Sequence, residues 1–221
     1  RSRRQRQMCI RDRRYGALAF SIGGYGYVGT GYNDNYLKDF YRFDPNAATG
    51  QQWTIVSGFG GYKRQYGTAF VIDDVAYICC GDNNGTLVDD LWKFDGSDWK
   101  QLRDIANNDS DEDYDDDYAI TRAGTVSFVI DGRGYIATGT RSGVTSDYWV
   151  YDPEEDLWYG DSDDDYTPMT NVHNVSSGGS SRSYAVSFST GKRGFVLSGS
   201  SGTSYFDDVY ELLPYEQEDV D

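Results

Sequence analysis

The stretch Arg64-Gln65-Tyr66-Gly67-Thr68-Ala69-Phe70-Val71-Ile72-Asp73-Asp74-Val75-Ala76-Tyr77-Ile78-Cys79-Cys80-Gly81, followed by Asp90-Leu91-Trp92-Lys93-Phe94-Asp95, decides the fold of this chain. β-Branched and aromatic residues alternate with small or polar ones in short runs. Glycine and aspartate break the runs, which is the pattern of strands joined by tight turns. Strands are expected at residues 67–72, 76–81, 90–95 and 99–102. No part of the chain shows helical periodicity.

The same grammar occurs four times. Arg14, Arg64, Arg122 and Arg182 are separated by 50, 58 and 60 residues, and Phe20, Phe70, Phe128 and Phe188 repeat at the same three intervals. Each unit is therefore expected to be one antiparallel four-stranded sheet. Such a sheet cannot bury both of its faces alone, so the units must stack face to face as the blades of a propeller.

These residues carry a resemblance. The Tyr-Val/Ile-x-x-Gly strand, followed by Asp-x-Trp/Tyr-x-Phe/Tyr-Asp and a later tryptophan (Trp53, Trp99, Trp158), resembles the kelch repeat over residues 14–214. Kelch units carry a Gly-Gly doublet at the end of the second strand, whereas this chain has Thr30-Gly31, Cys80-Gly81, Thr138-Gly139 and Ser198-Gly199. That departure points to a divergent, bacterial-type branch. The resemblance implies an all-β, kelch-like β-propeller, a fold shared with galactose oxidase, with blades at about 14–63, 64–121, 122–181 and 182–214 and an acidic tail at 215–221.

Kelch-like propellers close with six or seven blades, and the fourth unit lacks the fourth-strand tryptophan. The expectation is an open arc with its last blade incomplete, from the C-terminal part of a longer protein, with aromatic faces exposed at both ends. Residues 1–13, with six arginines and one acid, are read as a non-native or disordered arm, because Met8-Cys9-Ile10-Arg11-Asp12-Arg13 resembles a translated sequencing adapter. The competing reading is a basic arm for nucleic acid or anionic membrane.

The chain carries a net charge of −16, and without the arm, a net +5, it carries −21. Such a surface repels a phosphate backbone, so nucleic acid is not an expected partner. No apolar run suits membrane insertion. Aromatic residues make up 16% of the chain and supply the core; each buries roughly 150–250 Å². Loss of Trp92 or Trp149 is expected to cost about 3–5 kcal/mol if their rings fill the space between blades. High tyrosine, aspartate, glycine and serine with little lysine resemble secreted proteins of gut-type Gram-negative bacteria, which implies a periplasmic, cell-surface or extracellular location.

Features present in every unit are read as structural. Arg14–Asp39, Arg64–Asp90, Arg122–Asp147 and Arg182–Asp208 keep separations of 25, 26, 25 and 26 residues. Each arginine is expected to pair with the aspartate that opens the third strand. The alternative is a ring of cations at a central mouth. Features that differ between units are read as functional, and the loops after the second and fourth strands emerge on one face. That face is expected to carry residues 32–37, 82–88, 140–146 and 200–204, together with the connectors 57–63, 102–121 and 159–181. Its candidate binding residues are Tyr62, Asn83, Asn84, Tyr114, Tyr118, Arg141, Tyr159 and Tyr166, with Asn174 beside them. Tyrosine with asparagine suits stacking on sugars and bonding to their hydroxyls.

No cofactor is expected. Calcium is the one alternative, since Asp109-Ser110-Asp111-Glu112-Asp113 and Asp161-Ser162-Asp163-Asp164-Asp165 alternate acids as oxygen-ligand loops do. His173 is the only histidine, so neither a histidine-rich metal centre nor the copper site of galactose-oxidase-like enzymes can form. No catalytic residue is assigned. The favoured function is a non-catalytic, exported propeller that recognises a glycan or a protein through its long-loop face. The alternative is a sugar-processing enzyme resembling kelch-type sialic acid epimerases.

Overall fold

The structure, a computed structural model, describes residues 13–106, 118–160 and 180–212. The first sheet is β1 (Leu18–Ile22), β2 (Tyr25–Gly29), β3 (Phe40–Phe43) and β4 (Trp53–Val56). Next come β5 (Thr68–Ile72), β6 (Val75–Cys79), β7 (Asp82–Asn83), β8 (Thr86–Leu87), β9 (Trp92–Phe94) and β10 (Trp99–Gln101), in which β7 and β8 form a small hairpin beside the four-stranded sheet of the others. The third sheet is β11 (Val126–Ile130), β12 (Arg133–Thr140), β13 (Val144–Asp152) and β14 (Leu157–Gly160). The last contains β15 (Val186–Ser189), β16 (Gly194–Leu197) and β19 (Val209–Leu212), with β17 (Ser200–Ser201) and β18 (Ser204–Tyr205) as a second small hairpin. All strand pairs are antiparallel and no helix occurs among the described residues. The chain is an all-β, kelch-like propeller of four blades, the fourth with three strands among the described residues.

Residues 82–88, read from the sequence as a loop, form the β7–β8 hairpin. β9 begins at Trp92 rather than Asp90, because the Asp90 carboxylate is engaged with Arg64, the Trp92 indole and the Tyr62 amide just before the strand. In the first three blades the first-to-second strand turns are two-residue turns with both φ positive: Gly23-Gly24 at 57° and 80°, Asp73-Asp74 at 49° and 60°, and Asp131-Gly132 at 48° and 78°. This geometry matches the right-handed twist of the strands it joins.

The positions that stand where a kelch repeat has its glycine doublet hold a backbone conformation that favours glycine. Thr30, Cys80, Thr138 and Ser198 have φ of 58°, 62°, 62° and 57°, and the glycines after them have φ of 90° to 108°. A side chain in this region costs roughly 1–2 kcal/mol. A bond repeated in every blade helps to hold it there: the preceding arginine donates from Nη1 to the carbonyl of Thr30 (2.9 Å), Cys80 (3.2 Å), Thr138 (3.0 Å) and Ser198 (2.8 Å).

Blades join through one interface used three times. Phe70 and Ile72 of the second blade pack with Ile136, Trp149, Tyr151 and Trp158 of the third. Phe128 and Ile130 pack with Val196 and Leu212 of the fourth, and Ile22 and Tyr27 with Ala76 and Phe94 of the second. A small residue opens a slot for each phenylalanine: a Cβ built on Gly134 would lie 2.2 Å from the Phe70 ring, and one on Gly194 would lie 2.3 Å from Phe128. Backbone bonds repeat with the same step. Gly31, Gly81 and Gly139 donate to the carbonyls of Arg64, Arg122 and Arg182 in the following blade at 2.7, 2.7 and 2.8 Å.

Candidate binding face

Each repeated arginine reaches its aspartate. Arg14 bonds to both Asp39 oxygens (2.8 and 3.1 Å), Arg122 to both of Asp147 (2.9 and 2.7 Å) and Arg182 to both of Asp208 (2.5 and 3.1 Å), while Arg64 donates to Asp90 Oδ1. In the last three blades the arginine Nε also donates to the carbonyl two residues before it, of Tyr62, Ile120 and Ser180. These guanidinium groups are withdrawn from solvent and their donors are spent on the blade itself. Burial raises the carboxyls of Asp39 and Asp147, but the bonds and charge of Arg14 and Arg122 outweigh it and hold both below an ordinary aspartate. Asp208 is lowered chiefly by its bond to Arg182. Trp92 and Trp149 donate their indole N–H to Asp90 and Asp147, at 2.9 and 3.2 Å.

The sequence candidates do not gather at one place. Tyr62 is exposed beside the Arg64–Asp90 pair, its amide donating to Asp90 at 3.0 Å. Asn83 and Asn84 lie at the β7–β8 hairpin, where Asn84 and Gly85 turn the chain with φ of 56° and 84°. Arg141 is exposed at the tip of the β12–β13 hairpin. Tyr118 packs edge-on against Trp149, and its hydroxyl accepts from the Trp158 amide at 3.0 Å. Tyr159 belongs to β14, is buried in the core shared by the third and fourth blades, and donates to Glu155. Tyr159 is thus a core residue, and Tyr118 is partly buried against the core. Tyr114, Tyr166, His173, Asn174, both acidic runs, the tail and most of the arm lie outside the described residues. Among the described residues no group of three or more histidine, cysteine, aspartate or glutamate side chains is placed to hold a metal.

What does gather is a row of tyrosines just after the repeated arginines. Isolated bridges pair Tyr15 with Tyr32, Gln65 with Asp82, Ala123 with Thr140 and Ser183 with Ser200. The segment leading into each first strand is thereby held beside the loop that leaves the second. One residue further, Gly16, Tyr66, Gly124 and Tyr184 share φ of 62°, 55°, 64° and 55° and are chained across the blades. Tyr66 donates to the Gly16 carbonyl (2.7 Å), Gly124 to Tyr66 (3.0 Å) and Tyr184 to Gly124 (2.9 Å).

The rings form a continuous series. Tyr36 meets Tyr32 at 5.0 Å, Tyr32 meets Tyr15 at 5.4 Å, Tyr15 meets Tyr66 at 6.3 Å and Tyr66 meets Tyr184 at 5.0 Å. Tyr15 and Tyr184, at the two sides, are more than half exposed. At one end the Tyr36 hydroxyl donates to Asp82 Oδ2 at 3.3 Å, and Gln65 Nε2 donates to the same oxygen at 3.3 Å. Withdrawal from water, reinforced by neighbouring phenols and acids, raises Tyr15, Tyr36 and Tyr66 above an ordinary tyrosine. They stay protonated hydrogen-bond donors at neutral pH. Two bulky residues with positive φ at one spot are uncommon, and such strain gathers at functional positions.

No protein-family model matches the chain, and no curated protein sequence matches it. By shape, 183 chains of solved structures match. One is the structure of YjhT, with a TM-score of 0.63 and 15% sequence identity, covering 88% of this chain and 64% of that one. The chain thus spans about 64% of YjhT, and the likeness is one of fold.

Proposed function

We propose that this chain is a non-catalytic binding propeller whose loop face takes a glycan against the tyrosine row. The row itself carries the reading. Rings from the first, second and fourth blades meet in one place and are partly exposed, and the raised phenols of Tyr15 and Tyr66 keep their protons. Rigid tyrosines offer flat apolar area for a sugar face at low entropic cost, with a hydroxyl at the rim. The Asp82 carboxylate at one end adds an acceptor for sugar hydroxyls. A location outside the cytoplasm belongs to the same proposal and rests on composition.

A glycan array followed by calorimetric titration tests it. Binding should weaken at least tenfold in Tyr15→Ala and Tyr184→Ala, while their melting temperatures stay near that of the parent. An array without signal, or equal affinity in both variants, would sink the reading; capture of a partner protein through the same tyrosines would change the ligand to a protein. The second reading, a sugar-processing enzyme resembling kelch-type sialic acid epimerases, draws on the shared propeller fold. Conversion of a bound sugar, followed by NMR, would favour it over simple binding.

A further inference from the structure

We propose that the outer face of the fourth blade docks the outer face of the first blade of a second copy of this chain, head to tail. Three contacts tie each blade to the next, and each leaves one unused half at either end of the array. The first is the phenylalanine and its slot. Phe128 is 5% exposed against Gly194, whereas the equivalent Phe188 is 49% exposed. The matching slot on the first blade is Gly26, where a built Cβ meets only the chain's own Phe43, at 3.8 Å. The second is the glycine amide: Gly31, Gly81 and Gly139 each donate to the following arginine carbonyl. Among the described residues, Gly199 donates to no backbone carbonyl and that of Arg14 accepts from none. The third is the chain of bonds at the tyrosine row, which ends with the Gly16 amide and the Tyr184 carbonyl unused among the described residues.

The surrounding side chains show the same complementarity. Trp158 is 3% exposed in the third blade where its counterpart Trp53 on the first is 42% exposed, and Val186 and Val209 on the fourth are exposed as well. Two apolar faces of one molecule therefore present the two halves of an interface the molecule already uses three times. Exposed apolar faces of this kind mark contact surfaces. Because the faces differ, the contact is heterologous, and each copy it adds presents the same free face again.

Light scattering coupled to size exclusion, over a range of concentrations, tests this on the full chain. The parent should run at a multiple of its monomer mass; Phe188→Ser removes the knob and Gly26→Leu fills the slot, and each alone should lower the assembled mass. Mixing the two variants should restore a heterodimer, since each keeps the half the other has lost. Far-ultraviolet circular dichroism shows that both variants fold. A monomeric parent, assembly unchanged in both variants, or two folded variants that fail to combine would each overturn the proposal.

Discussion

Tyr184 lies directly over Gly124: a Cβ built on that glycine would fall 2.9 Å from the tyrosine ring. Tyr66 sits over Gly16 in the same way, at 3.1 Å. The row thus alternates glycine and tyrosine around the axis, each glycine leaving room for the ring of the following blade. Gly124→Ala should displace Tyr184, place a side chain at φ of 64° and cost about 1–2 kcal/mol in urea unfolding. Tyr184→Ala should leave stability nearly unchanged; ligand titration should find both variants weaker.

The ion pairs should differ in worth by their burial. Arg64 and Asp90 are both buried, whereas Asp208 is about a third exposed. Asp90→Ala leaves a guanidinium without its counter-charge inside the protein, and such a loss costs about 3–5 kcal/mol. Asp208→Ala should cost less, because water reaches the carboxylate it removes. Arg122→Ala, which also strips bonds from Ile120 and Thr138, should lower stability. Denaturant titrations rank the three.

Acid should unfold the protein through the same pairs. The carboxyls of Asp39, Asp147 and Asp208 are held below an ordinary aspartate, so in the unfolded chain they bind protons more readily. Their contribution is fully present above the unfolded aspartate value of about 3.9 and is lost as pH falls through the lower folded values. Melting temperature should be flat near neutrality with respect to these groups and fall steeply below about pH 4. Asp147→Asn should make that slope shallower.

One turn should be open to stabilisation. Asp73 and Asp74 hold φ of 49° and 60° between β5 and β6, whereas the equivalent turn in the third blade is Asp131-Gly132. Asp74→Gly replaces a strained side chain with the preferred residue, while giving up a 3.3 Å bond from the Gly23 amide. A gain of about 0.5–1 kcal/mol is expected in thermal or urea unfolding.

The architecture was legible because each blade repeats its own landmarks. The strand alternation around Phe70 and Phe128 and the arginine-to-aspartate separations are local regularities, and in the structure the same groups meet. The tyrosine row was not legible in that way. Tyr15, Tyr66 and Tyr184 stand one or two residues after the arginines, in segments that are alike between blades, whereas the blades differ most in their long connectors. The glycine–tyrosine alternation is carried by one position per blade, Gly16, Tyr66, Gly124 and Tyr184. The meeting of Tyr66 with Tyr184 arises from circular arrangement across blades and has no linear spacing to betray it. Tyr118 and Tyr159 depart in the opposite sense: their polar neighbours in sequence suggest a surface position, yet Trp149 packs against the one and the adjoining blade covers the other. The positive φ at Thr30, Cys80 and Thr138 was hidden by residue types that rarely adopt it.

The arginine fork has a consequence for how such a chain changes over generations. Its side-chain bonds stay within 26 residues of sequence, so the instructions for one wedge are written inside that wedge. Duplication or deletion of a segment from one arginine to the next would carry a complete set of bonds with it. Such a molecule can alter its circumference in whole steps while the surfaces between steps remain interchangeable.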